Sequence, residues 1–300
     1  MNFLKKISLT SDEKRAALLI APAVILIFFV AIIPIINIFY LSLFRKVLIF
    51  DITKFIGFDN YRHLLADQRF WNSFFNNVNY SFFSVAIELV LGLTIALILN
   101  QSFKARWLIR TAILIPWILP TVIASKFWNI ILDPQYGLAN KILLNLHIIH
   151  TNINWLGDPF WAMKCTIMVD VWKYTPFLSL LLLGGLQLIP KELYEAAILD
   201  GTNKLQSFKN ITLPLLMPTM LVALLFRTMD SFSAFSVVYV LTNGGPADST
   251  ELMSLYTFKT LFQSLQFGYG AAISVIIFLC VLLISIFYLY SFSYKTKDVD

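Results

Sequence analysis

Six apolar runs divide the chain, at residues 16–44, 77–99, 108–132, 161–188, 215–241 and 271–292. Each is near or above the roughly 20 residues that an α-helix needs to cross the hydrocarbon of a bilayer. In lipid every backbone N–H and C=O must be paired inside the protein, so runs of this length predict helices. The expected fold is an all-α membrane protein with six transmembrane helices in a single domain, residues 1–300. Hydrophobic residues make up 58% of the chain and charged ones 13%, which places it outside the range of soluble domains. The first run is too long for a signal-peptide core and lacks a small-residue cleavage site. It reads as a retained span whose ends are shaped by Pro22 and Pro34.

An even number of spans puts both termini on one side. With the N-terminus inside, the inner segments carry Lys5, Lys6, Lys14, Arg15, Lys104, Arg106, Arg110, Lys191, Lys204, Lys209, Lys295 and Lys297. The outer segments carry the smaller set Arg45, Lys46, Lys54, Arg62, Arg69, Lys141 and Lys259, so the charge bias favours cytoplasmic termini. The net charge of +6 is spread between apolar runs and forms no stripe suited to nucleic acid, leaving membrane lipid as the surrounding medium.

Polar residues within the runs mark places that must face protein or water. Glu88 lies mid-span, where one ionisable group costs on the order of 2.5 to 3.5 kcal/mol to insert. Pro116 and Pro120 remove backbone donors from the third run and predict a kink or local break. In the fourth run Asp170 and Lys173 are three residues apart and can share a face, as can Arg227 and Asp230 in the fifth.

Between the fourth and fifth runs lies a polar stretch, IPKELYEAAILDGTNKLQSFKNITLP. Pro190 opens a first helix, Gly201 turns the chain, Thr202 is the expected N-cap of a second helix, and Pro214 closes it. Leu193, Ala197, Ile198, Leu205 and Phe208 recur at helical spacing, and that apolar face needs a partner. Glu195, Ala196, Ala197, Gly201, Ile211, Leu213 and Pro214 resemble the "EAA" motif of ATP-binding cassette importer permeases. FIGFDNY at Phe55–Tyr61, LTNGGP at Leu241–Pro246 and GYGAA at Gly268–Ala272 are similar to strings of the carbohydrate-importing branch. Ser236 stands where that branch often has Asp.

The resemblance implies that residues 190–214 form a cytoplasmic helix-turn-helix coupling loop seated in a cleft of an ATPase. Glu195 would make an ion pair, Gly201 would supply the turn, Leu205 with Phe208 would dock, and Ala196 and Ala197 would belong to the same coupling site. Pro214 would end the loop. It implies a complex with a second homologous permease, two cytoplasmic ATP-binding subunits and an external solute-binding protein, in a bacterial cytoplasmic membrane. Surfaces around Asn60, Tyr61 and Gly244–Pro246 would meet the binding protein. The fourth and fifth spans would supply the central site, with Trp172, Tyr174 and Phe177 as stacking candidates and Arg227, Asp230 and Ser231 as hydrogen-bonding ones. Such a site suits an oligosaccharide, a disaccharide or a glycerol phosphate.

The chain has no Gly-x-x-x-x-Gly-Lys-Ser/Thr segment, so ATP and its Mg are expected on partner subunits, with no cofactor or catalytic role for the chain itself. Cys165 and Cys280, like His63, His147 and His150, lack the spacing of a disulfide framework or metal site. The alternative is an ion- or proton-coupled secondary transporter with Glu88, Asp170 and Asp230 as titrating groups.

Overall fold

The computed structural model describes residues 11–296. Lys5, Lys6 and Lys297, which enter the charge bias, lie outside them. Among the described residues five helices have the length and apolarity of membrane spans: Leu18–Ser42, Gln68–Asn100, Pro159–Gln187, Lys204–Phe232 and Phe267–Ser291. A sixth is the bent pair Arg106–Ile118 and Thr121–Ile131, which turns through 93° at Leu119 and Pro120. Pro120 makes the break, whereas Pro116 is accommodated inside the first arm.

One contact unit comprises residues before Leu65 together with Thr260–Val275. Pro22 and Pro34 do not end the first span but lie within it. A π-helical turn, Phe28–Ile32, immediately precedes the segment that carries Pro34. Proline cannot donate to the carbonyl four residues back and its ring presses on that carbonyl, so the wider turn lets the helix run on. After Ser42 the chain forms a two-stranded antiparallel hairpin, Phe44–Val47 with Ile52–Phe55, a small departure from the all-α expectation. Asn60 is buried, and its amide donates to the carbonyls of Ser42 (2.7 Å) and Phe44 (2.9 Å). Tyr61 meets the Ser42 hydroxyl at 2.7 Å. The Asp-Asn-Tyr string therefore folds the segment onto the end of the first span, and Asn60 is not a free docking surface. Gly268 opens the sixth helix against the Phe44 carbonyl, where a Cβ would collide with backbone.

The second unit, Leu65–Lys259 with the rest of the sixth helix, is built on the second, fourth and fifth spans. Its second span starts at Gln68, well before residue 77, because Asp67 caps the Arg69 N–H at 2.9 Å. Polar residues in its first turns are spent on neighbouring backbone: Asn76 on Asp248 and Asn77 on Phe232. The fourth span starts at Pro159, capped by Asp158. At one end Ala96, Leu182, Leu186, Leu216 and Met220 form a core; at the other, Tyr80, Ile167, Val238, Leu252 and Leu255 form another. The fifth span stops at Phe232, short of residue 241, and Ser236–Leu241 is a separate short helix. The break persists because side chains take the carbonyls it frees: Asn77 that of Phe232 and Ser254 that of Ala234.

Candidate functional site

The loop between the fourth and fifth spans consists of Lys191–Leu199, a turn, and a helix from Lys204. Gly201 has φ +76°. Its N–H donates to Ile198 and that of Thr202 to Ala197, the pair of bonds that closes a helix through a left-handed residue. Thr202 is thus a C-terminal residue whose hydroxyl also donates to Ala197. The N-cap is Asn203: its side chain accepts from the Gln206 N–H at 2.9 Å, and Gln206 accepts from the Asn203 N–H at 2.8 Å. Pro214 does not close the second helix. A second π turn, Phe208–Thr212, takes up the missing donor and the helix continues into the fifth span.

Glu195 and Ala196 are exposed and Ala197 is buried. Ile198 (69% exposed), Leu199 (89%) and Leu205 (75%) present an apolar surface that the chain leaves uncovered. Phe208 is half-buried beside a groove of about 620 Å³ that Leu97, Leu186, Ile198 and Leu205 also line. The Tyr194 hydroxyl meets that of Thr212 at 2.9 Å and ties the first loop helix to the root of the fifth span.

Within the spans, Arg227 is the centre of a buried ionic cluster. Its guanidinium, 1% exposed, donates through Nε to Glu88 Oε2 at 2.5 Å and through Nη2 to Glu88 Oε1 at 2.9 Å. Nη2 also donates to Asp170, and Nη1 to Asp230 Oδ2 at 3.0 Å. Glu88 and Asp170 are fully enclosed, whereas Asp230 is 58% exposed. The Tyr174 ring lies 4.3 Å from the guanidinium carbon. The pairing of Arg227 with Asp230 is present, but that of Asp170 with Lys173 is not. Lys173 instead donates to the carbonyls of Leu119 (2.6 Å) and Trp117 (3.4 Å), the groups freed where the third span breaks. A cation at a helix C-terminus is favoured by the helix dipole as well as by those bonds.

The proposed stacking residues are not gathered on one face. At 100° per residue, Asp170, Tyr174 and Phe177 share a side of the fourth helix and Trp172 points away. Phe177 stacks on Trp117 with centroids 5.6 Å apart, and Trp172 meets Trp128 edge-on at 5.5 Å. Ser231 is buried with no partner for its hydroxyl among the described residues. The mid-span position of Glu88 demands a partner, but that partner, Arg227, is 139 residues distant and no spacing rule reaches it. No cluster of metal-binding side chains occurs among the described residues.

Residues 88–294 match the family described as binding-protein-dependent transport system inner membrane component. The chain belongs to that family. It is 43% identical over 278 residues to the trehalose/maltose transport system permease protein MalF of Thermococcus litoralis, covering 93% of each chain. It is 36% identical over 288 residues to the sulfoquinovosyl glycerol transport system permease protein SmoG of Agrobacterium fabrum, covering 96% of this chain and 92% of that one. Among solved structures, a bacterial transporter that imports the acidic polysaccharide alginate superposes with a TM-score of 0.82 at 24% identity, over 94% of this chain and 97% of that one. The fold is therefore that of importer permeases. The protein is a multi-pass permease subunit of a binding-protein-dependent transport system, without catalytic function of its own. Membership replaces the reading as a secondary transporter. The carboxylates offered for ion coupling are bound to Arg227 instead.

Proposed function

We propose that this chain forms one half of the transmembrane pathway of an ATP-driven importer for a sugar or sugar-like solute, with a second homologous permease as the other half. The observation that carries the coupling role is the apolar surface of Ile198, Leu199 and Leu205, held out by a rigid turn at Gly201 and left uncovered by the chain. Closure of two ATPase subunits around this loop would move it, and the motion would pass into the fourth and fifth spans and change which side the central cavity faces. For this to be coupling, the loop must bind the open and closed ATPase with different affinity. Glu195, exposed beside the apolar face, is the candidate ion pair. The relatives named for trehalose, maltose and sulfoquinovosyl glycerol transport support a glycoside or oligosaccharide as solute. Tyr174, Phe177, Asp230 and Ser231 are the candidate solute contacts, while the donors of Arg227 are spent on carboxylates and make it a positioning residue. The loop and both termini would lie in the cytoplasm and the membrane would be the bacterial inner membrane.

The test is a detergent pull-down of the tagged chain with its operon partners, alongside Glu195→Ala and Gly201→Asp, with ATP hydrolysis and uptake of labelled disaccharide as readouts. Wild type should recover an ATPase and a second permease, and the variants should lose the ATPase while keeping the permease. Undiminished ATPase recovery by both variants would refute the coupling role, and uptake of amino acids in place of sugars would refute the solute class.

A further inference from the structure

A second cavity, of about 420 Å³, lies at the same end of the spans as the coupling loop, lined by Asn100, Ser102, Arg106, Gln187, Lys191 and Tyr194 over a floor of Leu186 and Ile189. Nothing in the transport reading uses it. Every polar group in that lining can donate a hydrogen bond, and none is a carboxylate. Two helices begin at its wall: Arg106–Ile118 at Arg106 and Lys191–Leu199 at Lys191. Neither start has a side-chain cap, since the preceding residues are Ala105, at φ +62°, and Pro190. Both helices thus place a cation where the dipole is already positive, an arrangement that costs stability unless a negative charge sits there too. Glu192, in the first turn of the second helix, is exposed and does not line the cavity. The Nε of Arg106 is buried with no partner among the described residues. That is an expensive state for a guanidinium.

We propose that this cavity is a binding site for a phosphate-bearing anion, held by Arg106, Lys191 and the neutral donors around them. A phosphate group would take charge-assisted bonds from both cations and meet both helix starts, so one ligand removes the repulsion at both. It would also tie the turn before the third span to the first residue of the coupling loop, which makes occupancy a means of stiffening the loop. The headgroup of an anionic lipid and a soluble phosphate offer the same chemistry, and the experiment separates them.

The full-length chain is purified in a phosphate-free, uncharged polyoxyethylene detergent at constant ionic strength. It is then titrated with inorganic phosphate or with phosphatidylglycerol in mixed micelles, and binding is followed by phosphorus NMR and thermal unfolding. Wild type should bind at least one of the two. Arg106→Gln and Lys191→Gln should each weaken binding about tenfold. Lys104→Gln, an exposed cation nearby that does not line the cavity, should stay within about twofold. Binding of phosphatidylglycerol alone identifies a lipid headgroup, and binding of both identifies a general phosphate site. Failure of both to bind wild type, or equal loss in Lys104→Gln, overturns the proposal. Lys191 is exposed, so its variant keeps the test decisive should Arg106→Gln fold poorly.

Discussion

Arg227→Gln removes the only guanidinium in the ionic cluster and leaves the carboxylates of Glu88 and Asp170 enclosed without their cation. Lys173 cannot stand in, because its ammonium is engaged by the Leu119 and Trp117 carbonyls. Breaking a buried ion pair from one side costs about 3 to 5 kcal/mol, most of it the penalty of the stranded charge. Asp230, more than half exposed, adds little to this sum, so Asp230→Asn should cost no more than about 1 kcal/mol. Glu88→Gln keeps the shape and one acceptor and should cost about 1 to 3 kcal/mol. If Glu88 and Arg227 act as a unit, the double variant should be more stable than the sum of the single effects predicts, by at least about 1 kcal/mol. The assay is reversible unfolding of the chain in mixed detergent micelles, with wild type, Arg227→Gln, Glu88→Gln and the double variant forming the cycle and Asp230→Asn measured beside it. A cost below about 0.5 kcal/mol for Arg227→Gln, or strict additivity with Glu88→Gln, would refute the idea that this cluster holds three spans together.

Gly201→Val should fold, because open space surrounds the missing Cβ, but should cost about 1 kcal/mol through its left-handed backbone and reduce ATPase recruitment; Gly201→Asn should recover most of both. Lys173→Met should destabilise by about 1 to 3 kcal/mol in the same unfolding assay, by stranding the carbonyls at the break of the third span. Outside the spans, burial pushes the Glu251 carboxyl up, but hydrogen bonds from Arg69 (2.6 and 2.8 Å) and Lys259 (2.7 Å) outweigh it and hold Glu251 below its ordinary value. A depressed carboxylate gives stability that is complete above the unfolded value of 4.5 and lost as pH falls through the lower folded one. The acid limb of a stability profile should therefore flatten in Glu251→Gln, and an unchanged limb would count against the network.

The spans were legible because hydrocarbon allows one solution to a long apolar run, and the loop because Gly201 and the residues around it carry local rules. What hydropathy could not reveal were boundaries set by polar side chains. Gln68–Asn76 reads as a loop until Asn72 and Asn76 find the Asp248 carbonyl. Local rules also compete: Thr202 and Asn203 are both good caps, and only the glutamine three residues after Asn203 completes the reciprocal box. Pro34 and Pro214 look like stops, yet each is absorbed by a wide turn directly before its segment. The cluster on Arg227 was half legible. Spacing found Asp230, but Glu88 and Asp170 reach Arg227 only through the packing of three helices, and the same i, i+3 logic misassigned Lys173 to Asp170.

Because the second loop helix and the fifth span are one uninterrupted rod, Lys204–Phe232, the chain has a lever with a long arm. Its 29 residues extend on the order of 40 Å. A tilt of about 5° about either end therefore displaces the other by roughly 4 Å, enough to open or shut a passage the width of a sugar ring. Arg227 lies about 35 Å along that arm from Lys204. Three carboxylates, from two further helices and the rod itself, grip it there, so a tilt of about 5° around that pinned point moves the Lys204 end by roughly 3 Å and the short arm beyond Arg227 by less than about 1 Å.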